Sequence, residues 1–463
     1  MMDNSVICAI ATPPGRGAIA VVRVSGEGAI PLCDRVIRAR SGKRLVECPS
    51  RTLHLGEVMD GEGCLDEVLV SLFRAPRSFT GEESVEISCH GSTYIQQRLL
   101  QLLILAGARL ATPGEFTRRS FLNGKMDLPR AEAVMDLLSA TSSSAHEMAM
   151  NQMRGGFSSG LMTLRGELLR VASLLELELD FPEEDVTFAD RVELVSMARR
   201  VHDLISGLRD SFSLGNALKT GIPVAIVGPP NAGKSTLLNT LLREERAIVS
   251  EREGTTRDAI EETLDIEGVT FRFIDTAGIR VASDEIEAIG ISRAFMNISR
   301  ARVVLLLLDD TRLASFARYY GQVRDGISPG ASLILLLNKV DSLDDPAAIV
   351  ERLRALAPGE PLLPLSAKTG EGIEPLTRLL LATVTAGLRP ASGTLVNNLR
   401  HYEALTRAGQ ATTRLLAGLE AGLGGEILSQ DLRECIHYIG EITGEITTDE
   451  ILGNIFKHFC IGK

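Results

Sequence analysis

The chain has 463 residues, 44% of them apolar, which allows roughly three domains of ~150 residues, each with its own core. Its 49 basic and 60 acidic side chains leave a formal charge of −11, setting aside diffuse attraction to nucleic acid; any RNA contact must use a local basic patch or a partner protein. The longest apolar runs, 303–308 and 333–337, are too short to span a bilayer, and no basic-then-apolar leader opens the chain. A soluble, cytoplasmic protein without membrane contact is expected.

Residues 1 to about 120 alternate β-type runs (18–24 and 67–73) with a helix-like stretch at 94–106, which predicts an α/β or α+β domain. From Met126 to Leu214 the pattern is nearly continuous helix. Leu161, Leu164, Leu168, Val171 and Leu175 make one apolar stripe, and Phe181-Pro182 breaks it. Residues 217–384 alternate strand and helix as a parallel doubly wound sheet requires, with candidate strands 224–227, 270–274, 303–308, 333–337 and 362–365. Beyond Arg389-Pro390 helix returns, with a glycine-rich break at 422–425. Helical segments 121–216 and 385–463 each have an apolar face to bury, so one helical domain is expected, with the α/β domain inserted into it. The seven cysteines are odd in number and form no C-x-x-C pair, which argues against a disulfide framework or a zinc knuckle. All but Cys460 read as packing residues.

Chemistry concentrates in the inserted domain. Gly228-Pro229-Pro230-Asn231-Ala232-Gly233-Lys234-Ser235 fits G-x-x-x-x-G-K-[ST] between a β-type run and a helical one. The backbone of Asn231, Ala232, Gly233, Lys234, Ser235 and Thr236 would cradle phosphates, Lys234 would reach the β/γ phosphates and Ser235 would offer a hydroxyl to Mg²⁺. Asn338-Lys339-Val340-Asp341 follows an apolar strand, where Asp341 would accept from the N1–H and exocyclic amine of guanine; adenine offers no such donor pair. Ser366-Ala367-Lys368 would close over the same base, so the expected nucleotide is GTP. Asp275-Thr276-Ala277-Gly278 would hold the Mg²⁺ shell through water and bring an N–H near the γ-phosphate. Thr255 and Thr256, in Gly254-Thr255-Thr256-Arg257-Asp258, would supply switch hydroxyls.

Ile279 stands where many small GTPases carry a water-orienting glutamine, so another group must position the attacking water. The acidic stretch 283–287 offers carboxylates, unless it is only a charged helix start. The amide oxygen of Asn231 has two readings: a ligand for a monovalent cation beside the phosphates, or a bond within its own loop.

The order of these motifs, the C-terminal Phe459-Cys460-Ile461-Gly462-Lys463, and three N-terminal segments together resemble the tRNA-modifying GTPase family MnmE (TrmE). The N-terminal segments are Ala11-Thr12-Pro13-Pro14-Gly15-Arg16-Gly17, Phe79-Thr80-Gly81-Glu82, and Pro113-Gly114-Glu115-Phe116 with Leu122-Asn123-Gly124-Lys125. The resemblance covers essentially the whole chain. It implies a homodimer that works with a flavoprotein partner, MnmG (GidA), to install an aminomethyl-type group on C5 of the wobble uridine of tRNA. It also implies a folate donor such as 5-formyltetrahydrofolate, held by Arg23, Glu86, Lys125 and Lys463, and a K⁺ ion held by Asn231 and by Ser250, Arg252 and Thr255 of the stretch Ser250-Glu251-Arg252-Glu253-Gly254-Thr255-Thr256. The family's catalytic acid falls on Glu287. Cys460 matches its C-terminal cysteine, a nucleophile if ionised or else a small buried apolar group. Without the resemblance, Arg23 and Lys125 read as surface charges. The rival class is a GTPase that switches ribosome assembly, which would have no evident need for the N- and C-terminal segments.

Overall fold

The computed structural model describes residues 5–180, 191–245, 262–274, 298–309, 316–385, 395–457 and 459–462. Two compact units emerge: residues 1–135, 151–169 and 436–463 form one, and residues 136–150 and 170–435 the other.

The first unit is built on a seven-stranded sheet: β1 (Ile7–Ile10), β2 (Ile19–Ser25), β3 (Ile37–Ala39), β4 (Thr52–Asp60), β5 (Gly63–Phe73), β6 (Ser84–His90) and β7 (Arg109–Leu110). Its strand order is β3-β4-β5-β6-β2-β1-β7. The period-two alternation decides its faces. Val68, Val70 and Leu72 of β5 point inward with Val22, Val24, Val85 and Ile87, and the helix Thr93–Leu105 covers them through Leu99 and Leu103. Leu55 and Leu69, paired across β4 and β5, point the other way with Leu53 and stay 42–61% exposed. The end of the chain belongs to this unit. Leu452 and Phe456 of the helix Asp449–Phe456, with Phe459, pack on Leu128 and Ala131.

The second unit holds a six-stranded sheet: β8 (Ile222–Val227), β9 (Glu262–Ile266), β10 (Val269–Phe273), β11 (Val303–Leu308), β12 (Ser332–Leu337) and β13 (Leu362–Pro364), in the order β13-β12-β11-β8-β10-β9. β11 and, after Ser332, β12 are apolar throughout, in keeping with two buried faces, one against each of two cores. The all-parallel expectation fails at one edge, where β9 runs antiparallel to β10. The reason is local: Glu267 (φ 48°) and Gly268 (φ 82°) both adopt left-handed backbone, the geometry of a two-residue hairpin turn. That turn is docked. The Ser144 N–H donates to the Gly268 carbonyl at 3.1 Å, and a Cβ at 268 would fall 1.7 Å from Ser143 Oγ.

The nearly continuous helix expected over 126–214 is instead Leu128–Ser139, Ser143–Met153, Gly156–Asp180, Arg191–Asp210 and Phe212–Thr220. Gly155, at φ 89°, separates two of these helices because only glycine takes that backbone without strain. All five residues of the 161–175 stripe are buried, to 1% exposure or less. The expected break at Phe181-Pro182 lies outside the described residues.

Candidate functional site

The phosphate loop joins β8 to the helix Lys234–Glu245. Two of its glycines are laid against neighbours with no room for a side chain, which fixes the loop's backbone curl. At Gly228 (φ 150°) a Cβ would lie 2.2 Å from the Leu307 carbonyl oxygen, and at Gly233 (φ 98°) 2.3 Å from Asn338 Nδ2. Asn231 takes the left-handed region (φ 61°), with its side chain exposed at the loop's crest. Lys234 Nζ donates to the carbonyls of Gly228 (3.0 Å) and Pro229 (2.9 Å), which aims its ammonium across the mouth of the loop. Ser235 follows at the helix start, half-buried, and Thr236 is exposed.

The base-reading segments meet this loop through one buried amide. Asn338, 2% exposed, donates from Nδ2 to the Ala232 carbonyl (2.7 Å) and accepts through Oδ1 from the Ala367 N–H (2.9 Å). A single side chain therefore ties the phosphate loop to 366–368. Ser366 Oγ donates to Asp341 Oδ1 at 2.6 Å, holding that exposed carboxylate in place for the N1–H and exocyclic amine of guanine. Thr240 Oγ1 donates to the Ala367 carbonyl at 2.7 Å, while Lys368 is exposed.

One participant escaped sequence reasoning. Asp309, 5% exposed, accepts from Lys339 Nζ at 2.8 Å. A signal existed in the register. Leu308 pairs with Leu337 in the parallel β11–β12 ladder, so the residues that leave these two strands, Asp309 and Asn338, emerge side by side. Ser250, Glu251, Arg252, Glu253, Gly254, Thr255 and Thr256 lie outside the described residues, as do Asp275, Thr276, Ala277, Gly278, Ile279 and Glu287. The Asn231 cation reading, the switch hydroxyls and the acid at 287 rest on sequence alone.

In the first unit, two of the segments singled out at the N-terminus, those of Phe79 and Phe116, meet at Arg23. Its guanidinium pairs with Glu86 across the β2–β6 ladder (2.8 Å) and lies 5.5 Å from the ring centre of Phe79 and 5.7 Å from that of Phe116. It also donates to the Gly462 carbonyl at 3.4 Å. Arg23 is therefore no surface charge; its side chain is 17% exposed. Lys125 does fit that reading in part, being exposed, but its Nζ is held by the Pro76 carbonyl at 2.9 Å. Gly462 closes the arrangement, since a Cβ there would lie 2.3 Å from the Ile10 carbonyl oxygen, beside the Ala11 segment. Lys463 lies outside the described residues.

Beneath this site Glu115 accepts from Arg109 (2.7 Å) and Arg119 (3.0 Å), and Arg119 also reaches Glu82 (3.2 Å). Burial alone would raise the Glu115 carboxyl. The Arg109 hydrogen bonds, the Thr112 N–H and the charges of Arg109 and Arg119 outweigh it and hold the group at about 2.

The cysteines divide. Burial pushes the thiols of Cys8 and Cys89 up to about 11 and that of Cys435 to about 12, and Cys33 is raised as well, so these are packing groups. Two are exposed: Cys64, against the packing expectation, because it sits near the β4–β5 turn, and Cys460, which follows the last helix, so that of its two readings the buried one fails. Among the described residues, no cluster of three or more His, Cys, Asp or Glu is placed to hold a metal, and no helix is long and apolar enough to cross a membrane.

A phosphate loop, a carboxylate set to read guanine and a six-stranded sheet that holds them together define a P-loop GTPase. Two family models match the chain, the MnmE helical domain over residues 128–460 and the GTP-binding protein TrmE N-terminus over 6–125. The tRNA modification GTPase MnmE of Christiangramia forsetii is 52% identical over all of both chains, and that of Parabacteroides distasonis 51% identical over 99% of this chain and all of the other. A crystal structure of an Aquifex aeolicus Era variant bound to GDP and AlF4⁻ is 28% identical over 42% of this chain and 67% of that one, with a TM-score of 0.28. The chain belongs to the MnmE family of tRNA modification GTPases. It is a GTP hydrolase of tRNA modification, with the expected N-terminal, helical and P-loop GTPase folds.

Proposed function

We propose that the chain acts as a homodimer with a flavoprotein of the MnmG (GidA) type to place an aminomethyl-type group on C5 of the wobble uridine, drawing its carbon from a folate. The observation that carries the folate reading is the convergence of three separate chain segments, at Phe79, Phe116 and Gly462, on the Arg23–Glu86 pair. A reduced pterin carries a ring N–H and an exocyclic amine side by side, much as guanine does, and Glu86 would accept from both while Arg23 holds it in place. Lys125 and Lys463 would meet the glutamate carboxylates. The open face of the seven-stranded sheet, with Leu53, Leu55 and Leu69 exposed, suits burial against a second copy. Titration of the full-length protein with 5-formyltetrahydrofolate tests the reading: wild type should bind, and Glu86→Gln should bind at least tenfold more weakly. Equal affinities would remove Glu86 from the site.

In the second unit, Lys234 and the loop N–H groups would hold the phosphates, Ser235 and Thr256 a Mg²⁺ ion, and Asp275 its water shell. Asn231, Ser250, Arg252 and Thr255 would supply oxygens to K⁺, Arg252 through its carbonyl, and Glu287 would orient the attacking water. K⁺ neutralises developing phosphate charge when bound. Hydrolysis in KCl should exceed that in NaCl at matched ionic strength; equal rates would sink the K⁺ assignment.

A further inference from the structure

A family that modifies tRNA must touch RNA, yet this chain carries an excess of eleven acidic groups. One stretch runs against that balance. Residues 35–51 contain Arg35, Arg38, Arg40, Lys43, Arg44 and Arg51 against a single acid, Glu47. All six cations are exposed: Arg38 and Arg40 lie on or just after β3, one edge of the seven-stranded sheet, Arg35 just before it, Lys43 and Arg44 in the turn that follows, and Arg51 just before β4. Two of them are engaged, Arg40 with Glu67 at 3.6 Å and Arg44 with Asp34 at 2.8 Å. Arg35, Arg38, Lys43 and Arg51 have no ion pair among the described residues; Arg38 stands opposite Glu57 in the β3–β4 register without bonding to it.

Charged side chains on an edge strand also discourage sheet-to-sheet pairing. That role needs charge only on the strand, and charge of either sign serves it. Here the cations are of one sign and continue past the strand into the turn and on to Arg51.

We propose that the β3 edge of the N-terminal unit is a docking surface for the phosphodiester backbone of tRNA, contacted by Arg35, Arg38 and Lys43. It reads no sequence; it positions the RNA while specificity comes from elsewhere. The proposal rests on the family's action on tRNA and on the β3 edge lying outside the dimer contact proposed above, because Arg38 shares a face with Leu55; it is independent of the folate and K⁺ readings. Unpaired, exposed cations are the groups that gain most from phosphate, because no internal partner has to be given up.

The test is equilibrium binding of a tRNA transcript to the full-length protein across ~50 to ~200 mM salt, comparing wild type with Arg35→Gln/Arg38→Gln/Lys43→Gln. Three lost contacts should flatten the slope of log K against log salt by about 2 to 3 and weaken binding about 10²-fold near 0.1 M, with GTP hydrolysis unchanged. Lys43→Gln alone, in an exposed turn where misfolding is not at issue, should flatten the slope by just under 1. Wild-type slope and affinity in the triple variant would overturn the proposal, as would weakened binding with an unchanged slope, since that marks a structural cause. If wild type binds no tRNA at any salt, direct RNA contact by this chain falls altogether, whereas the folate and K⁺ results would stand.

Discussion

Replacing Asn338 by alanine should damage both ends of the nucleotide site at once. The variant leaves the Ala232 carbonyl and the Ala367 N–H without the partners they have at 2.7 and 2.9 Å, in a position only 2% exposed. Each buried polar group left unpaired costs ~1–3 kcal/mol, so the pair amounts to ~2–6 kcal/mol, less whatever water recovers by entering the space. Gly233 moderates this little, because its glycine backbone lies directly against the missing amide. The loss should divide between a less stable GTPase unit and a phosphate loop that must be ordered by the nucleotide itself. Titration with a fluorescent GDP analogue, beside urea denaturation of the same protein, measures both shares. We expect GDP and GTP affinities to fall alike, by ~30-fold or more, because the tie touches neither the γ-phosphate nor its metal. A change below threefold in affinity together with unchanged stability would refute the idea that this amide holds the two loops in register.

Two further outcomes follow from the geometry. Asp341→Asn keeps a partner for Ser366 but removes the carboxylate that accepts from the N1–H and exocyclic amine of guanine, so GTP should bind about 10²-fold more weakly and xanthosine nucleotides should gain; unchanged guanine preference would remove Asp341 from base recognition. Glu115 has a folded-state carboxyl at about 2 against an ordinary 4.5, so it contributes stability above the unfolded value that is lost as pH falls from about 5 toward 2. The full shift corresponds to roughly 3 kcal/mol, and Glu115→Gln should be less stable at neutral pH with a flatter acid limb in denaturation; parallel pH profiles for the two proteins would contradict this.

The nucleotide site was legible because its parts are local. A glycine that must approach a neighbouring carbonyl, a lysine six residues later and an asparagine at the end of an apolar strand are each written within a few positions. The strands expected in this unit agree with those observed to within two residues at each end. β9 was not legible, because Leu264 and Ile266 are too few to set an alternation and the Glu267-Gly268 turn carries the information instead. Asp309 was missed for a different reason: its role comes from register, and register is a relation between strands, not a property of either. Arg23 shows the limit most plainly. Nothing near it in sequence tells that two aromatic rings, from positions 79 and 116, would flank it, and only the resemblance drew attention to it.

The hydrogen bond between Arg23 and Gly462 joins residues 439 positions apart. At synthesis rates of ~5–20 residues per second, Arg23 leaves the ribosome roughly 20 to 90 s before the segment that completes its site. The described strands of the GTPase unit, by contrast, are all made by residue 364. A chain cut short before residue 459 would therefore carry the strands of the nucleotide-binding sheet and an unfinished N-terminal pocket.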